Sequence, residues 1–234
     1  MKLSIENKKY TLLILPLAGV VMGILMYTLC MLCMKYGYRQ EFFALIGAAV
    51  PVLVTGGINL AGFMRTVEAL KGGNSVEKRL EMLKENHVGI YSVIAIGAYY
   101  LLYAGALVMV QNDRQLLLLG AGYVISVTLG GMGAVWFPQA KVKDGIYAFA
   151  SNSEKRVFKI FLCLILVLCF GTCIAFSPIM GMLEALLCMW IWTYYYYMSK
   201  KRFGGVAVEL TGYFIAICDL AVVLFVGIVG RAIL

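Results

Sequence analysis

The sequence predicts an all-α, polytopic integral membrane bundle, and three observations carry that prediction. The chain is 62% hydrophobic and only 14% charged, with a mean hydropathy of +0.89, whereas soluble domains run nearer half apolar and a quarter charged. Its apolar residues gather into runs of about 20 or more, the length that crosses ~30 Å of hydrocarbon at ~1.5 Å per helical residue. Its basic residues fall mostly between alternate runs, as the positive-inside rule requires of a multi-pass protein.

Taken in order, the runs cover 11–36, 41–64, 89–110, 115–137, 157–176, 178–198 and 208–233, about seven spans at the length the bilayer sets. The opening MKLSIENKKY is basic, but the run behind it is long enough to span and is followed by no small-residue cleavage site, so it reads as a span rather than a removable leader. The break in FSPIM rests on Pro178, since proline either starts a new helix or kinks a membrane one. Residues 1–234 read as a single transmembrane domain, with polar loops at 65–88, 138–156 and 199–207.

The first loop has its own pattern. In GGNSVEKRLEMLKENHVG, Asn74 stands as N-cap with Glu77 three residues on, and Val76, Leu80 and Leu83 share one helical face. That is the signature of a short amphipathic helix on the membrane surface, with a solvated connector as the other reading.

Charge fixes the expected topology. Of 20 Lys and Arg, all but Lys35, Arg39, Arg114 and Arg231 lie on the side of the N-terminus and those three loops, counting Lys159 just inside a span end. That side is therefore expected to be cytoplasmic. The net charge of +8 is then mostly topology, partly a field for an anionic substrate, and not the footprint of a nucleic-acid binder. All seven cysteines lie in apolar runs, where a thiol is a small soft hydrophobe, so no disulfide framework is implied.

Few ionisable groups lie within the spans. Glu184 and Asp219 are deep; each reads either as an interhelical hydrogen bond or as part of an ion or proton path, which would make the protein a small transporter component. Glu209 lies in the first turn of the last run, where a helix dipole favours a carboxylate. There is one histidine and no cysteine in a polar loop, no G-x-S-x-G elbow, and no phosphate-binding P-loop or GxGxxG. What is left is an assembly of four polar, glycine-containing stretches on one side: 55–73, 84–89, 138–145 and 204–212. Glycines let backbone approach a ligand, and carboxylates at helix ends can hold Mg²⁺ with a diphosphate.

These four stretches, in this order, resemble the cobalamin synthase family (adenosylcobinamide-GDP ribazoletransferases). GGINLAGFMRTVEAL lies without a gap on the family's G-G-x-H-x-D-G-x-x-D-x-x-D-G-L. GGNSVEKRLEMLKENHVG is similar to the G-G and R-R-L-E-I-M-K-D-S-R-I-G segment. PQAKVKDGI corresponds to P-Y-A-R-x-x-G-L with one extra residue, and GGVAVELTG to G-G-x-T-G-D-x-x-G. LPLAGVVMGIL also resembles the family's first span.

The resemblance implies a Mg²⁺-using membrane transferase. It would join adenosylcobinamide-GDP to α-ribazole or its 5′-phosphate with release of GMP, in the last steps of adenosylcobalamin biosynthesis. It implies catalytic roles for Glu68, Glu209 and Asn59, and metal ligation by Glu68, Glu85 and Glu209. Substrate binding would fall to Arg65, Thr66, Gly56, Gly57, Lys84, Asn86, His87, Lys141, Gly204 and Gly205.

The departures are as informative. Two of the first motif's three acidic positions are Ala61 and Arg65, its histidine is Asn59, and the surviving acids are glutamates where aspartate is usual. Arg65, a cation at a ligand position, either grips phosphate bidentately in place of a metal's charge or snorkels at the interface. A catalytically impaired relative that binds a corrinoid or a partner protein is the alternative.

Overall fold

The computed structural model describes residues 5–85, 88–140 and 152–233, and is helical almost throughout. In chain order the helices are α1 Ile5–Tyr36, α2 Gln40–Thr55, α3 Ile58–Gly72, α4 Val76–Lys84, α5 Ile90–Leu107, α6 Asp113–Trp136, α7 Asn152–Phe176, α8 Pro178–Phe203 and α9 Val208–Leu224. A π-helical turn, Phe225–Val229, joins α9 to α10, Gly230–Ile233.

Five segments are long and apolar enough to cross a membrane: 15–36, 90–107, 113–136, 156–176 and 208–233. The second expected span is not one rod. Gly56 and Gly57 take left-handed φ values of 61° and 77°, which glycine adopts without a Cβ penalty, and both backbone N–H groups return to the Val52 carbonyl. That closes α2, and α3 leaves at 93° to it, so a sixth span exists only as this bent pair. α8 covers the whole expected 178–198 run and is helical, but its tyrosine-rich TYYYY segment makes it less hydropathic than the five. Pro178 does start this helix, at its first turn.

Helix α6 is the axis of the bundle. Its most apolar window is 83% buried, against 17% for α7, and α1, α7, α8 and α9 all pack on it. Asn112 caps it, accepting from the Gln115 N–H at 2.8 Å while Gln115 accepts from the Asn112 N–H in return. The other helices turn large apolar side chains outward, among them Leu101, Leu164, Val167 and Leu186, each at least 60% exposed. This is a multi-pass membrane protein: an apolar exterior of that extent has lipid as its only favourable solvent.

The short helix expected in the first loop is α4. Its cap is Ser75 rather than Asn74: the Ser75 hydroxyl accepts from the Lys78 N–H at 3.2 Å. The Glu77 carboxyl is held below its ordinary range by its own backbone N–H and by the Ser75 hydroxyl. Leu83 is fully buried, so α4 is docked rather than solvated.

Inside the bundle, Asp219 on α9 accepts a hydrogen bond from the Ser126 hydroxyl on α6. The Tyr103 and Tyr123 hydroxyls pair at 2.6 Å. Glu184 on α8 is fully buried, and neither of its carboxyl oxygens has a partner. All seven cysteines are free thiols, five buried and two half-buried.

Candidate active site

The four polar stretches converge as far as they are described. α3 meets α9 at two glycines. A Cβ on Gly62 would stand 2.5 Å from the Glu209 carbonyl oxygen and 3.2 Å from the Gly212 Cα. One on Gly212 would stand 3.1 Å from the Asn59 Cα. Only glycine permits this approach. Because Asn59 meets Gly212 while Gly62 meets Glu209, the two chains run in opposite directions at the crossing. One turn beyond Gly62, Arg65 then faces the first turn of α9, and its Nη1 lies 3.9 Å from Glu209 Oε1. Both side chains are partly exposed, 32% and 26%, so the pair lies at a surface a ligand can reach.

The stretch after α6 is tied to the stretch before α9 by one parallel bridge between Gln139 and Val206. The Val206 N–H donates to the Pro138 carbonyl at 2.8 Å, and the Ala140 N–H to the Val206 carbonyl at 3.0 Å. Gly204 ends α8 in a left-handed turn, and Gly205 lies against the backbone of Gln139 and Ala140. α4 joins through Arg79, whose Nη1 donates to the Arg202 carbonyl at 3.3 Å.

The expected site residues do not all share one role. Glu68, three residues past Arg65, turns toward α5 instead: its Oε2 accepts from the Ser92 N–H at 3.0 Å, and its carboxyl fills the space a Gly89 side chain would need. Glu68 is thus an N-terminal cap for α5, satisfying one of the N–H groups a helix start leaves free. Thr66 is fully buried, and its hydroxyl has no partner. Gly56 lies in open space, with nothing near the position of a Cβ; Gly57 starts α3. Asn59 is half-buried beside α9, and Lys84 and Glu85 are exposed at the end of α4. Asn86, His87 and Lys141 lie outside the described residues. Gly62 and Gly212 stand out only in three dimensions. Each is one glycine within its motif, and nothing in the sequence says that the two motifs touch.

Beneath the crossing lies an aromatic floor. Phe63 stacks on Tyr213, with centroids 5.8 Å apart and planes at 11°, and meets Tyr99 at 5.5 Å. The Tyr195 hydroxyl pairs with Thr211 at 3.1 Å. This floor holds α3, α5, α8 and α9 in place under the Arg65–Glu209 pair.

A sequence model of the Cobalamin-5-phosphate synthase family matches residues 3–227. The chain belongs to that family. It is 31% identical to the adenosylcobinamide-GDP ribazoletransferase of Lachnoclostridium phytofermentans over 231 residues, 96% of this chain and 87% of the relative. It is 27% identical to the enzyme of that name from Treponema denticola, over 93% and 86% of the two chains, and 26% to that of Clostridium perfringens SM101, over 94% and 88%. No solved structure matches the chain significantly.

The Mg²⁺ that the resemblance implies finds no ready cage among the described residues. Among the described residues no three His, Cys, Asp or Glu side chains group as metal ligands. Glu209 faces Arg65, Glu68 caps α5, and Glu85 is exposed at the end of α4. Mg²⁺ demands near-ideal octahedral geometry, and a guanidinium beside a ligand opposes it by like-charge repulsion. The described donor set does not fit the ion.

Proposed function

We propose that this protein is an adenosylcobinamide-GDP ribazoletransferase of the cell membrane, with its N-terminus and its four motif stretches on the cytoplasmic side. What supports the reading is one juxtaposition: the first and fourth motifs cross at Gly62 and Gly212 and present Arg65 beside Glu209 at a reachable surface. The supporting context is a chain whose relatives carry that name over most of their length.

The reaction is a phosphoryl transfer in kind. A ribazole hydroxyl oxygen forms a bond to the corrinoid-linked phosphorus. The bond from that phosphorus to the bridging oxygen breaks, and GMP leaves with that oxygen. The hydroxyl proton must be accepted. Arg65 suits the diphosphate, because a guanidinium offers a planar fork of donors to phosphate oxygens. At 3.9 Å its tie to Glu209 is long and half-exposed, so it gives way at little cost. Glu209, released, is the carboxylate placed to take the proton. Asn59, nearly two turns before Arg65 on α3 and beside Gly212, supplies an amide to hold the acceptor. Glu68 acts from behind, by fixing the start of α5. Lys84, exposed at the end of α4, offers positive charge to the phosphates; His87 and Lys141, outside the described residues, are the further contacts the resemblance implies, and Gly56 leaves room above the bend.

The test is direct. Protein reconstituted in vesicles is given adenosylcobinamide-GDP and α-ribazole, with and without Mg²⁺, and adenosylcobalamin and GMP are sought by mass. Product formation is expected, falling by about 100-fold or more in Glu209→Ala, the range over which general-base removal acts. No product, with corrinoid binding retained, would overturn the enzyme reading in favour of a binding relative.

A further inference from the structure

We propose that the same end of the bundle carries a second anion site, for the headgroup of an anionic phospholipid, built from Lys71 on α3 and Lys201 and Arg202 on α8. These three line a cavity of about 470 Å³ together with Tyr194, Tyr197 and Met198. No carboxylate lines it. Among the described residues the ion pairs are Arg39–Glu41, Arg65–Glu209 and Lys78–Glu81, none of which involves the three cations. Arg79, outside the lining, donates to the Arg202 carbonyl and ties α4 to this end of α8. Like charges gathered without a counter-charge repel, and a phosphodiester oxygen is the ligand that relieves them with charge-assisted hydrogen bonds.

The walls distinguish a lipid from a soluble phosphate. Tyr194 and Tyr197 are 48% and 64% exposed, amphipathic rings of the kind found at headgroup level. Below them on the same face of α8 come Trp190, Leu186, Leu183 and Ile179, all exposed. The positions 179, 183, 186, 190, 194, 197 and 201 step by three and four, so they form one stripe along the helix. From Arg202 down to Tyr194 the helix descends about 12 Å. An apolar stripe running from a basic pocket gives acyl chains a track and their headgroup an anchor; a free anion has no use for the track. This site does not depend on the transferase reading, since none of its residues belongs to the Arg65–Glu209 crossing.

The experiment is lipid retention. The protein is reconstituted in phosphatidylcholine vesicles containing some phosphatidylglycerol and extracted in mild detergent, and bound lipid is counted by native mass spectrometry. Retention of phosphatidylglycerol over phosphatidylcholine is expected. Each cation removed should weaken it about fivefold, so Lys71→Gln loses about fivefold and the double variant K201Q/R202Q about 25-fold. K35Q/K78Q removes the same charge elsewhere and should change nothing. Equal retention in K201Q/R202Q and the unaltered protein would overturn the site. So would equal loss in K35Q/K78Q, or displacement of the lipid by millimolar inorganic phosphate. Should the pocket variants fail to fold, quenching of the unaltered protein's tryptophans decides. Brominated phosphatidylglycerol should quench more than brominated phosphatidylcholine, because Trp190 lies on the track; equal quenching sinks the proposal.

Discussion

Two regions of this protein place acids where acids are expensive, and they resolve the problem in opposite ways. At the α3–α9 crossing, Glu209 faces a cation at 3.9 Å and both remain partly open. In the middle of the bundle, Asp219 is closed around the Ser126 hydroxyl and Glu184 is sealed with no partner at all. A half-exposed ion pair is worth little in stability and is easily exchanged for a ligand. A polar group sealed in the core bears its desolvation in the folded state and has no solvent path by which a ligand could replace its surroundings. On the proposed reading, chemistry belongs to the first region, and the second contributes architecture. The small-transporter reading is not favoured, since the family model covers residues 3–227 and the relatives that match most of the chain carry a transferase name.

The comparison breaks most violently at Gly62. A side chain there meets backbone, the Glu209 carbonyl at 2.5 Å, so it cannot be absorbed by a rotamer change. Gly62→Val should push α3 off α9, costing about 3 kcal/mol, the upper range of overpacking, and with it the Arg65–Glu209 juxtaposition. Turnover should vanish while the protein still inserts; chemical unfolding in mild detergent and the mass assay together check this. A variant that turns over normally would show that the crossing does not build the site.

Arg65 comes next. If it binds the substrate's diphosphate, Arg65→Ala should weaken binding of a guanosine diphosphate ligand by about 10- to 100-fold, the worth of hydrogen bonds from a charged group. Calorimetry measures it. Arg65→Asp, which restores the family's usual acid, should weaken it further; improved Mg²⁺-dependent turnover in that variant would instead show that a metal site had merely been interrupted. Because the described donors do not group around an ion, chelation of Mg²⁺ should reduce this ligand's affinity less than Arg65→Ala does.

Smaller effects are expected at Glu68. Its carboxylate accepts the Ser92 N–H, so Glu68→Ala removes a helix cap, worth about 1 kcal/mol. Glu68→Gln keeps an acceptor oxygen and should recover most of that in a melting experiment, with turnover close to that of the unaltered protein. A loss of turnover in Glu68→Gln as deep as in Glu209→Ala would return Glu68 to the chemistry.

Much of this was legible before any coordinates. Apolar run lengths gave the helices, Pro178 gave the α7–α8 break, and the order of four polar stretches gave the family. What stayed hidden was pairing. Thr55 to Gly73 reads as one continuous helix end because hydropathy does not change across Gly56 and Gly57; only their left-handed dihedrals reveal the 93° bend. Glu68 and Glu209 look alike in sequence, each an acid at a motif position. Their roles separate only when one is seen to reach back to α5 and the other to meet Arg65. The shift of the α4 cap from Asn74 to Ser75 is a one-residue version of the same problem, since both residues can accept the bond.

The smallest effect is the sharpest test of the contrast. Asp219→Asn keeps an oxygen for the Ser126 hydroxyl, and Glu184→Gln keeps the shape of a group that already lacks a partner. Neither should alter turnover by more than about twofold, and stability should move by less than ~1 kcal/mol, since each swap exchanges one neutral-capable polar group for another of its size. Glu184→Met goes further: it removes an unsatisfied buried group and should raise the unfolding midpoint, because the desolvation that group suffers, about 1–3 kcal/mol, is no longer imposed. These three outcomes distinguish the two regions by sign. At the crossing, removing charge destroys function and hardly touches stability; in the interior, it spares function, and stability holds or, in Glu184→Met, rises. Loss of turnover in Asp219→Asn, with an unchanged unfolding midpoint, would mean that the sealed acid takes part in the reaction, and the division between chemistry at the crossing and architecture in the core would fail.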